Sequence, residues 1–308
     1  MNRREKLLGG IDLGTSRGLE IGALCNPLVL KSESDIHYVD YADRAFLQKV
    51  YAGNPLVDPE RIVDVDFIWG ERSLREITGE REFDYIVASH VIEHVPDLIT
   101  WVRELVSVLA PGGTIRLAVP DRRYTFDLLR RESSLSDVLN AHLLGARQPL
   151  PIAVLDYFMN AVAVDCTEAW EGRVDIDALR KKQRTQVDQA MRLARDAVEN
   201  RNYHDAHCWV FTPRSFAQLF ESLCESGHLD VACDRFSDTE RYQIEFFVSL
   251  RPEVDRERSI ESWRQMQAKV VPGDSVPSGS DGSRPPAPGA GSYGQPIRRL
   301  LRRISRVT

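Results

Sequence analysis

The segment from Ser89 to Asp97, SHVIEHVPD, concentrates residues whose side chains could do chemistry. Within it, His90, Glu93 and His94 match the H-x-x-E-H pattern of the inverted zinc proteases, whose histidines bind a catalytic metal. The same segment follows an apolar run typical of a buried strand and precedes an amphipathic stretch. Two interpretations are therefore open at first, a metal site or the rim of a ligand pocket.

The metal interpretation requires both histidines on one long helix. Pro96 follows His94 closely and would break that helix where it has to continue. The protease pattern also needs a carboxylate from a companion helix, whereas the next segments are typical of a helix, a turn and a strand. The sequence therefore predicts no metal site here, and for His94 it favours a role in capping and packing the turn.

The elements around this segment alternate between strand-like and helical patterns, which is typical of βαβ units and a parallel sheet. Apolar residues at helical spacing fill 97–109, and Pro111-Gly112-Gly113 is expected to end that helix. Five short runs are predicted as strands: Leu19–Gly22, Asp35–Asp40, Arg61–Trp69, Phe83–Ser89 and Thr114–Val119.

After residue 121 the pattern changes to a helical, amphipathic region that extends to about residue 205. The alternation then returns, because Thr212 and Pro213 form a helix-start signature and strands are predicted over 229–236 and 242–250. The predicted fold is α/β, a Rossmann-like seven-stranded sheet made of residues 1–121 and 206–251. The helical insertion at 122–205 lies where a substrate cap is expected.

The C-terminal part has a different composition. Proline, glycine, serine and alanine dominate from about residue 272, and 252–296 is predicted as a largely disordered linker. Residues 297–308, IRRLLRRISRVT, place arginines on one helical face and apolar residues on the other. Two interpretations of this basic tail stay open. Residues 297–307 could contact an anionic membrane surface from inside the cell, or the tail binds a partner or is disordered.

Charge, cysteine content and hydropathy argue against several classes of protein. The formal net charge of −6 argues against a nucleic-acid-binding protein, which would be expected to be basic. The five cysteines include no C-x-x-C pair, which argues against a zinc knuckle or a disulfide framework and fits a reducing cytosol. The N-terminus lacks the apolar segment of a signal peptide, and no window is apolar enough for a membrane span. We expect a cytoplasmic protein.

The turn after the first predicted strand is where a doubly wound sheet binds a nucleotide-like ligand. Glu20 lies at the end of that strand, and Gly22 allows the backbone to approach a ligand closely. Asp40 ends the next strand about twenty residues after Glu20, the spacing at which a carboxylate reaches ribose hydroxyls. No further glycines follow, so a pyrophosphate fingerprint is absent. S-adenosylmethionine, which has a ribose and no phosphate, fits this pattern, and an ordinary βα turn is the alternative.

The segments GLEIGALCNPL, YVD, FDYIVASHVIEHVPD and APGGTIRLAVPD, in this order, resemble the successive motifs of class I S-adenosylmethionine-dependent methyltransferases. The resemblance covers about residues 17–121 and again 210–250, and it departs from the family at ALCNP, where further glycines are usual. It implies that Asp40 binds the ribose, that Asp66 or Phe67 flanks the adenine, and that the segment after the fourth strand lines the methionine side. The implied cofactor-binding residues are Glu20, Gly22, Ala23, Asp40, Asp66, Phe67, Ser89 and His90.

Methyl transfer from a sulfonium is an in-line displacement, and a hydroxyl or amine acceptor can also need a base. The segment that re-enters the core, YHDAHCW, offers His204 and His207 as bases beside Asp205 as the orienting acid. The alternative is that these three side chains cap the last helix of the insertion and satisfy buried backbone groups. The predicted acceptor-binding residues, among which Arg122 would bind an anionic group, are Asp121, Arg122, Tyr124 and Trp209.

A narrower similarity involves LEIGAL, PDRRYTFD and HDAHCWVFTPRSF. Together they resemble uncharacterised bacterial methyltransferase-like proteins often associated with surface-polysaccharide assembly. The function that these resemblances imply is methyl transfer from S-adenosylmethionine to a small molecule or saccharide, at oxygen. The alternative is a non-catalytic cofactor-binding or scaffold protein that acts through its basic tail, and the thin glycine motif keeps this alternative open.

Overall fold

The computed structural model describes residues 1–271. Its centre is one seven-stranded sheet with the order β3-β2-β1-β4-β5-β7-β6. The strands are β1 (Arg17–Ile21), β2 (Asp35–Asp40), β3 (Phe67–Ile68), β4 (Phe83–Ser89), β5 (Leu109–Pro120), β6 (Val231–Ser237) and β7 (Glu245–Pro252). β1 to β5 run parallel, whereas β7 pairs antiparallel with both β5 and β6.

Eleven helices surround the sheet in the described part of the chain. They are α1 (Arg3–Leu8), α2 (Arg44–Val50), α3 (Leu74–Ile77), α4 (Leu98–Ser107), α5 (Leu135–Leu143), α6 (Pro151–Asn160), α7 (Cys166–Trp170), α8 (Ile176–Arg184), α9 (Val187–Glu199), α10 (Pro213–Glu225) and α11 (Arg256–Lys269). The α/β fold with a Rossmann-like seven-stranded sheet and a helical insertion is thus confirmed. The predicted basic tail at 297–308 lies outside the described residues.

The central strands are apolar on both sides, as a parallel sheet covered on both faces requires. β4 is the clearest case, because five of its seven residues are buried. Leu98, Val102 and Leu105 of α4 pack into the main core on one face, together with residues of α10 and α11. Leu7 of α1 packs into a smaller core on the other face.

Two predicted boundaries are wrong for local reasons. Pro111-Gly112-Gly113 does not separate α4 from a later strand, because it lies inside β5, where the register with β4 shifts and Gly112 adopts φ +83°. The third strand is short because the Val63 amide donates to Leu24 O at 2.9 Å instead of joining the sheet. Only Phe67–Ile68 pairs with β2.

The first crossover departs from the alternating βα pattern. Residues 22–34, between β1 and β2, form turns and no helix. The Glu20 carboxylate organises this loop, accepting hydrogen bonds from the Leu28 amide at 2.8 Å and the Val29 amide at 3.2 Å. The loop therefore lacks the helix N-terminus that usually follows the first strand of a nucleotide-binding sheet.

The insertion between β5 and α10 contains α5 to α9. Val138 and Ala141 of α5 belong to the main core, so this helix is part of the body of the fold. α6 and α9 instead pack on each other through a separate small core that includes Phe158 and Ala194. The insertion therefore has an inner part that is fixed to the sheet and an outer part with its own packing.

The predicted linker at 252–296 begins too early. Residues 256–269 form α11, and its Trp263 is fully buried, 4.9 Å from Phe220 of α10 by ring centroids. Polar residues dominate the helix, so the sequence around the buried Trp263 and Met266 shows no clear apolar stripe. Residues beyond 271 in that range lie outside the described part. Among the described residues, no helix has the length and apolarity needed to cross a membrane.

Candidate active site

Gly22 follows β1 at the point where the sheet order reverses between β1 and β4. Its φ of +68° is a left-handed conformation, and its amide donates to Val39 O at 2.9 Å. A Cβ atom at this position would lie 3.0 Å from Val91 Cγ2, in the loop after β4. Glycine is required here both for backbone conformation and for the close approach of the two loops. These loops border the crevice in which doubly wound sheets bind their ligands.

Asp40 is the last residue of β2 and lies at the same edge of the sheet. Its Oδ1 accepts a hydrogen bond from the Tyr41 amide at 2.8 Å. Burial raises the pKa of Asp40 to about 6, so the carboxylate is ionised at neutral pH yet poorly solvated. A carboxylate can accept several hydrogen bonds, so Asp40 keeps capacity for the ribose hydroxyls that the sequence predicts.

Glu20 and Ala23 both make contacts within the protein. The Glu20 carboxylate is buried against the amides of the 22–34 loop, and this burial raises its pKa to about 7. Ala23 is buried in the smaller core, in the same cluster as Val29 and Tyr38. Both residues therefore shape the loop, and their direct contact with a cofactor stays a prediction.

Asp66 and Phe67 were predicted to flank the adenine. The Asp66 carboxylate instead joins Lys31 Nζ at 2.6 Å and accepts from the Tyr38 amide at 2.8 Å. The Phe67 ring lies 5.4 Å from the ring of His37 by centroids. The register between β2 and β3 places Ile68 directly beside Asp40, and Ile68 is 49% exposed. Ile68 therefore lies beside Asp40 with an exposed side chain, and contact of Asp66 or Phe67 with an adenine stays a prediction.

Ser89 and His90 end β4 in a charged network. Arg3 of α1 donates to Ser89 Oγ at 2.5 Å and to Glu245 Oε1 at 2.6 Å. His90 Nε2 lies 2.8 Å from Glu245 Oε2, and its φ of +55° is unusual for a residue with a side chain. Burial lowers the pKa of His90, but Glu245 and Glu93 outweigh burial and raise it to about 10. His90 is thus a fixed cation at the edge of the crevice.

The chain returns from the insertion alongside the loop after β4. Glu93 O accepts hydrogen bonds from the Cys208 amide at 2.6 Å and from the Trp209 amide at 3.2 Å. Trp209 Nε1 donates to Val95 O at 2.7 Å, and Phe211 forms a parallel bridge with Asp121. These contacts tie 207–211 to 93–95 and bring His207 beside the H-x-x-E-H segment.

Glu93, His94 and His207 form a compact cluster. One carboxylate oxygen of Glu93 and one ring nitrogen of each histidine all lie within 4.8 Å of one another. Glu93 is 0% exposed, and neither of its carboxylate oxygens accepts a hydrogen bond. His90 Nδ1 lies 3.4 Å from Glu93 Oε1, an ion-pair distance that is too long for a good hydrogen bond.

Each histidine of the cluster is held by a carboxylate on its Nδ1 atom. His94 Nδ1 lies 2.9 Å from Asp205 Oδ1, and His207 Nδ1 lies 2.7 Å from Asp127 Oδ2. Burial opposes protonation of His94, but Asp205 and Glu93 raise its pKa to about 9. Buried Arg130 donates to Asp127 Oδ1 at 2.8 Å and to the backbone oxygen of His207 at 2.8 Å.

The predicted catalytic group of His204, Asp205 and His207 is not formed. Asp205 pairs with His94, and His207 pairs with Asp127. His204 Nε2 lies 2.7 Å from Asp196 of α9, so His204 anchors the end of the insertion. His204 thus contacts the last helix of the insertion, whereas Asp205 and His207 pair with residues outside that helix, and catalytic roles for these residues stay a prediction.

The predicted acceptor-binding residues serve mainly as internal contacts. Asp121 is fully buried and binds both Arg123 and Thr239. Arg122 Nη2 donates to Leu128 O at 2.7 Å. Trp209 is 4% exposed, and its indole nitrogen is bonded to the backbone. Asp121 and Trp209 are therefore not open to an acceptor in this structure.

Tyr124, the remaining predicted acceptor-binding residue, packs within the insertion. Its ring is stacked on Trp170 of α7 with the centroids 3.8 Å apart and the planes at 6°. The same ring lies 5.2 Å from the Arg123 guanidinium. The stack links the exit of β5 to the insertion, and contact of Tyr124 with an acceptor stays a prediction.

The Glu93–His94–His207 cluster lies next to the crevice marked by Asp40. Asp205, which holds His94, is close enough to influence two phenols that follow β2. Burial first, and the charge of Asp205 next, raises the pKa of Tyr51, and Asp40 and Asp205 both add to the effect of burial on Tyr41. The Asp205 side chain is 62% exposed, and Tyr41 and Tyr203 are 53% and 59% exposed. Tyr203 Oη lies 3.4 Å from Asp205 Oδ1, so exposed phenol and carboxylate groups adjoin the cluster.

Sequence analysis missed Glu93, Asp127, Arg3 and Glu245 as parts of the site. Glu93 had a visible signal, because it lies within the H-x-x-E-H pattern that was set aside as a protease motif. Asp127, Arg3 and Glu245 had none, since each joins the site only through contacts distant in sequence.

The chain matches the family model described as a methyltransferase domain over residues 10–223. This match covers more than half of the chain, so the chain belongs to the methyltransferase domain family. The prediction of a class I S-adenosylmethionine-dependent methyltransferase is confirmed at the level of the superfamily. No curated protein sequence matches the chain.

Several solved structures are similar to the chain. The CcbJ methyltransferase from Streptomyces caelestis is 17% identical over 40% of this chain and 53% of that chain, with a TM-score of 0.29. DhpI in its SAH complex is 14% identical over 80% and 83% of the two chains, with a TM-score of 0.35. The mitomycin 7-O-methyltransferase MmcR is 11% identical over 81% and 52%, also with a TM-score of 0.35. The chain spans about half the length of CcbJ and of MmcR.

Proposed function

We propose that this protein transfers the methyl group of S-adenosylmethionine to a hydroxyl of a small molecule or saccharide. The single observation that supports this most is the position of Asp40. It is a partly desolvated carboxylate at the carboxyl end of β2, beside the switch point of a sheet with methyltransferase strand order. Membership of the methyltransferase domain family supports S-adenosylmethionine as the cofactor.

The cofactor would lie across the loops after β1 and β2. Asp40 accepts hydrogen bonds from the ribose hydroxyls, and Gly22 lets the backbone approach the cofactor without a Cβ in the way. The exposed side chain of Ile68, next to Asp40 in the sheet, packs against the adenine. Ser89 and His90, fixed by Arg3 and Glu245, border the methionine side.

The acceptor would enter on the side of Asp205. Tyr41 and Tyr203 present exposed rings at this entrance, and Asp205 presents an exposed carboxylate. Aromatic faces pack on the apolar faces of sugar rings, and carboxylates accept hydrogen bonds from their hydroxyls. This combination favours a polyhydroxylated acceptor. The insertion at 122–205 acts as the cap, because its exit segment supplies Tyr203 and Asp205.

Calorimetric titration of S-adenosylmethionine and S-adenosylhomocysteine into the full chain tests the cofactor site. Wild type should bind both, and Asp40→Ala should lose most of the affinity, since the ribose then lacks its acceptor. Glu82→Ala is the matched control, because Glu82 is an exposed acid next to Phe83, at the amino end of β4 and the opposite edge of the sheet. No binding by folded wild type, or equal binding by Asp40→Ala, would falsify the proposed cofactor site.

A binding or scaffold protein without turnover is the second candidate. The loop at 22–34 favours it, because this loop has no helix N-terminus and ties up Glu20 with its own amides. Turnover separates the two functions. Release of S-adenosylhomocysteine that depends on added free or nucleotide-linked sugars supports the methyltransferase. Binding without release across such a panel supports the scaffold.

A further inference from the structure

Three potential metal ligands meet beside the proposed crevice. The Glu93 carboxylate and one nitrogen each from His94 and His207 lie within 4.8 Å of one another. Ligand atoms that share a tetrahedral transition-metal ion are separated by roughly 3.3 Å, given bond lengths near 2.0–2.2 Å. Small side-chain rotations would close the cluster around such an ion. Within residues 1–271, no other group of three or more such side chains comes this close together.

The Glu93 carboxylate lacks a hydrogen-bond donor. It is completely buried, and neither oxygen accepts a hydrogen bond. Buried carboxylates are normally paired, hydrogen-bonded or bound to a metal, because the uncompensated charge is costly. His90 approaches at 3.4 Å, but its other ring nitrogen is bound to Glu245 at 2.8 Å. An ion at the centre of the cluster would satisfy the oxygens that His90 leaves unbonded.

The two histidines have the surroundings that metal ligands require. A carboxylate holds each Nδ1 atom, Asp205 for His94 and Asp127 for His207. Such a contact fixes the ring and keeps a proton on Nδ1, so that Nε2 is the nitrogen that binds a metal, once it has lost its own proton. Arg130 in turn holds Asp127, so the support extends a further layer into the protein.

We propose that Glu93, His94 and His207 bind a divalent transition-metal ion of the zinc type, through one carboxylate oxygen and the two Nε2 atoms. Two histidines and one carboxylate are the ligand set of sites that keep a coordination position open for a reactant. The site differs from the protease pattern in three respects. His90 is not a ligand, Glu93 is a ligand, and the remaining ligand comes from beyond the helical insertion.

The role of this ion in catalysis rests on the proposed methyl transfer. A hydroxyl of the acceptor takes the open position, where the ion lowers the pKa of that hydroxyl. The hydroxyl proton passes to water, the oxygen forms a bond to the methyl carbon as the carbon–sulfur bond breaks, and S-adenosylhomocysteine leaves.

Metal binding by the full chain, without cofactor or acceptor, tests the site. Protein stripped with a chelator is titrated with Zn²⁺ by calorimetry and with Co²⁺ by visible absorption. Wild type should bind one equivalent of each ion, and the Co²⁺ spectrum should be that of a four- or five-coordinate nitrogen–oxygen site. Glu93→Gln should lose saturable binding. Asp127→Asn should weaken it by about 10- to 100-fold, since Asp127 only orients a ligand.

His204→Gln is the matched control for these variants. His204 pairs with Asp196 as the cluster histidines pair with their aspartates, but it lies outside the cluster. It should bind Zn²⁺ as wild type does. Circular dichroism and titration with S-adenosylhomocysteine show whether each variant is folded and keeps its cofactor site. If Glu93→Gln does not fold, His207→Gln takes its place.

The outcomes separate the metal site from the proposed function. Equal Zn²⁺ affinity in wild type and in a folded ligand variant overturns the metal site, as does the absence of binding by folded wild type. Either result leaves methyl transfer untouched. If folded wild type binds Zn²⁺ in a Glu93-dependent way but does not bind S-adenosylhomocysteine, the methyltransferase function is rejected. The metal site is then supported independently of that function.

Discussion

The rings of His94 and His207 meet edge to face with their centroids 4.6 Å apart. His94 lies before β5, whereas His207 follows the whole helical insertion, so tertiary contacts alone bring them together. The hydrogen bonds from Cys208 and Trp209 to the backbone of Glu93 fix this meeting. The cluster therefore depends on how the insertion returns to the sheet.

The affinity for S-adenosylhomocysteine should fall as the pH is lowered through about 6, the pKa of Asp40 in the unliganded protein. Protonation turns the carboxylate into a weaker acceptor for the ribose hydroxyls, and a loss of roughly tenfold is expected from the difference between charged and neutral hydrogen bonds. Asp40→Asn should bind weakly without this pH step. Calorimetry between about pH 5 and pH 8, a range that brackets the pKa of Asp40, measures the affinity of both proteins for S-adenosylhomocysteine. A step of equal size in Asp40→Asn would assign it to another group.

The same pKa shift predicts how Asp40 affects stability. Its folded pKa is raised above the unfolded value of 3.8. The favourable contribution is therefore fully present below about pH 4 and is lost as the pH rises through about 6. Relative to wild type, Asp40→Asn should gain on the order of 1–3 kcal/mol in unfolding free energy between pH 4 and pH 8. Urea denaturation at the two pH values measures this, and a constant difference would contradict it.

Gly22→Ala should weaken cofactor binding and destabilise the protein. The added Cβ faces Val91 at 3.0 Å, and the left-handed backbone costs an alanine about 1–2 kcal/mol. Gly145→Ala is the control, since Gly145 also has a positive φ but meets no atom within 4 Å. Both variants should lose similar stability from the backbone term, and only Gly22→Ala should lose affinity for S-adenosylhomocysteine. Equal affinities would place Gly22 outside the cofactor site.

Arg130→Ala should be strongly destabilising. Arg130 is 2% exposed and binds Asp127, Asp156 and the backbone of His207. Removing one member of a buried ion pair leaves charge without compensation, which costs about 3–5 kcal/mol. The neighbouring Arg131 makes a surface pair with Asp137, and its side chain is 65% exposed. Arg131→Ala should cost less than about 1 kcal/mol in the same chemical denaturation experiment. Similar losses in the two variants would show that the buried network adds little.

Trp263→Ala tests whether α11 belongs to the folded core. The side chain is fully buried against Phe220, and its indole nitrogen donates to Val231 O at 3.0 Å. Truncating such a residue should cost about 3–5 kcal/mol of unfolding free energy. The exposed neighbour Gln265 is the control, because Gln265→Ala removes only a surface contact with Glu261. An effect below 1 kcal/mol, far under the range for a buried tryptophan, would mean that α11 does not stabilise the sheet.

Local patterns were sufficient for most of the sheet. The apolar runs of β2 and β4 were located to the residue, since both are bounded by charged or turn residues. The start of α10 was predicted from Thr212 and Pro213, and the structure shows the capping box there. α11 was missed because only Trp263 and a few neighbours are buried among polar residues, which leaves a weak periodicity. The local pattern did not show that Glu20 would hold the whole first crossover as a loop.

The sequence by itself determined the family, the order of the strands along the chain and the position of Asp40 at a strand end. These follow from short-range patterns, because strands, turns and caps are specified by neighbouring residues. Only the tertiary structure decided which side chains meet. Asp205 was read beside His204 and His207 because they are neighbours in sequence, yet it pairs with His94, and His207 joins Asp127. Side-chain pairs across an insertion depend on how distant segments pack, and no local pattern carries that information.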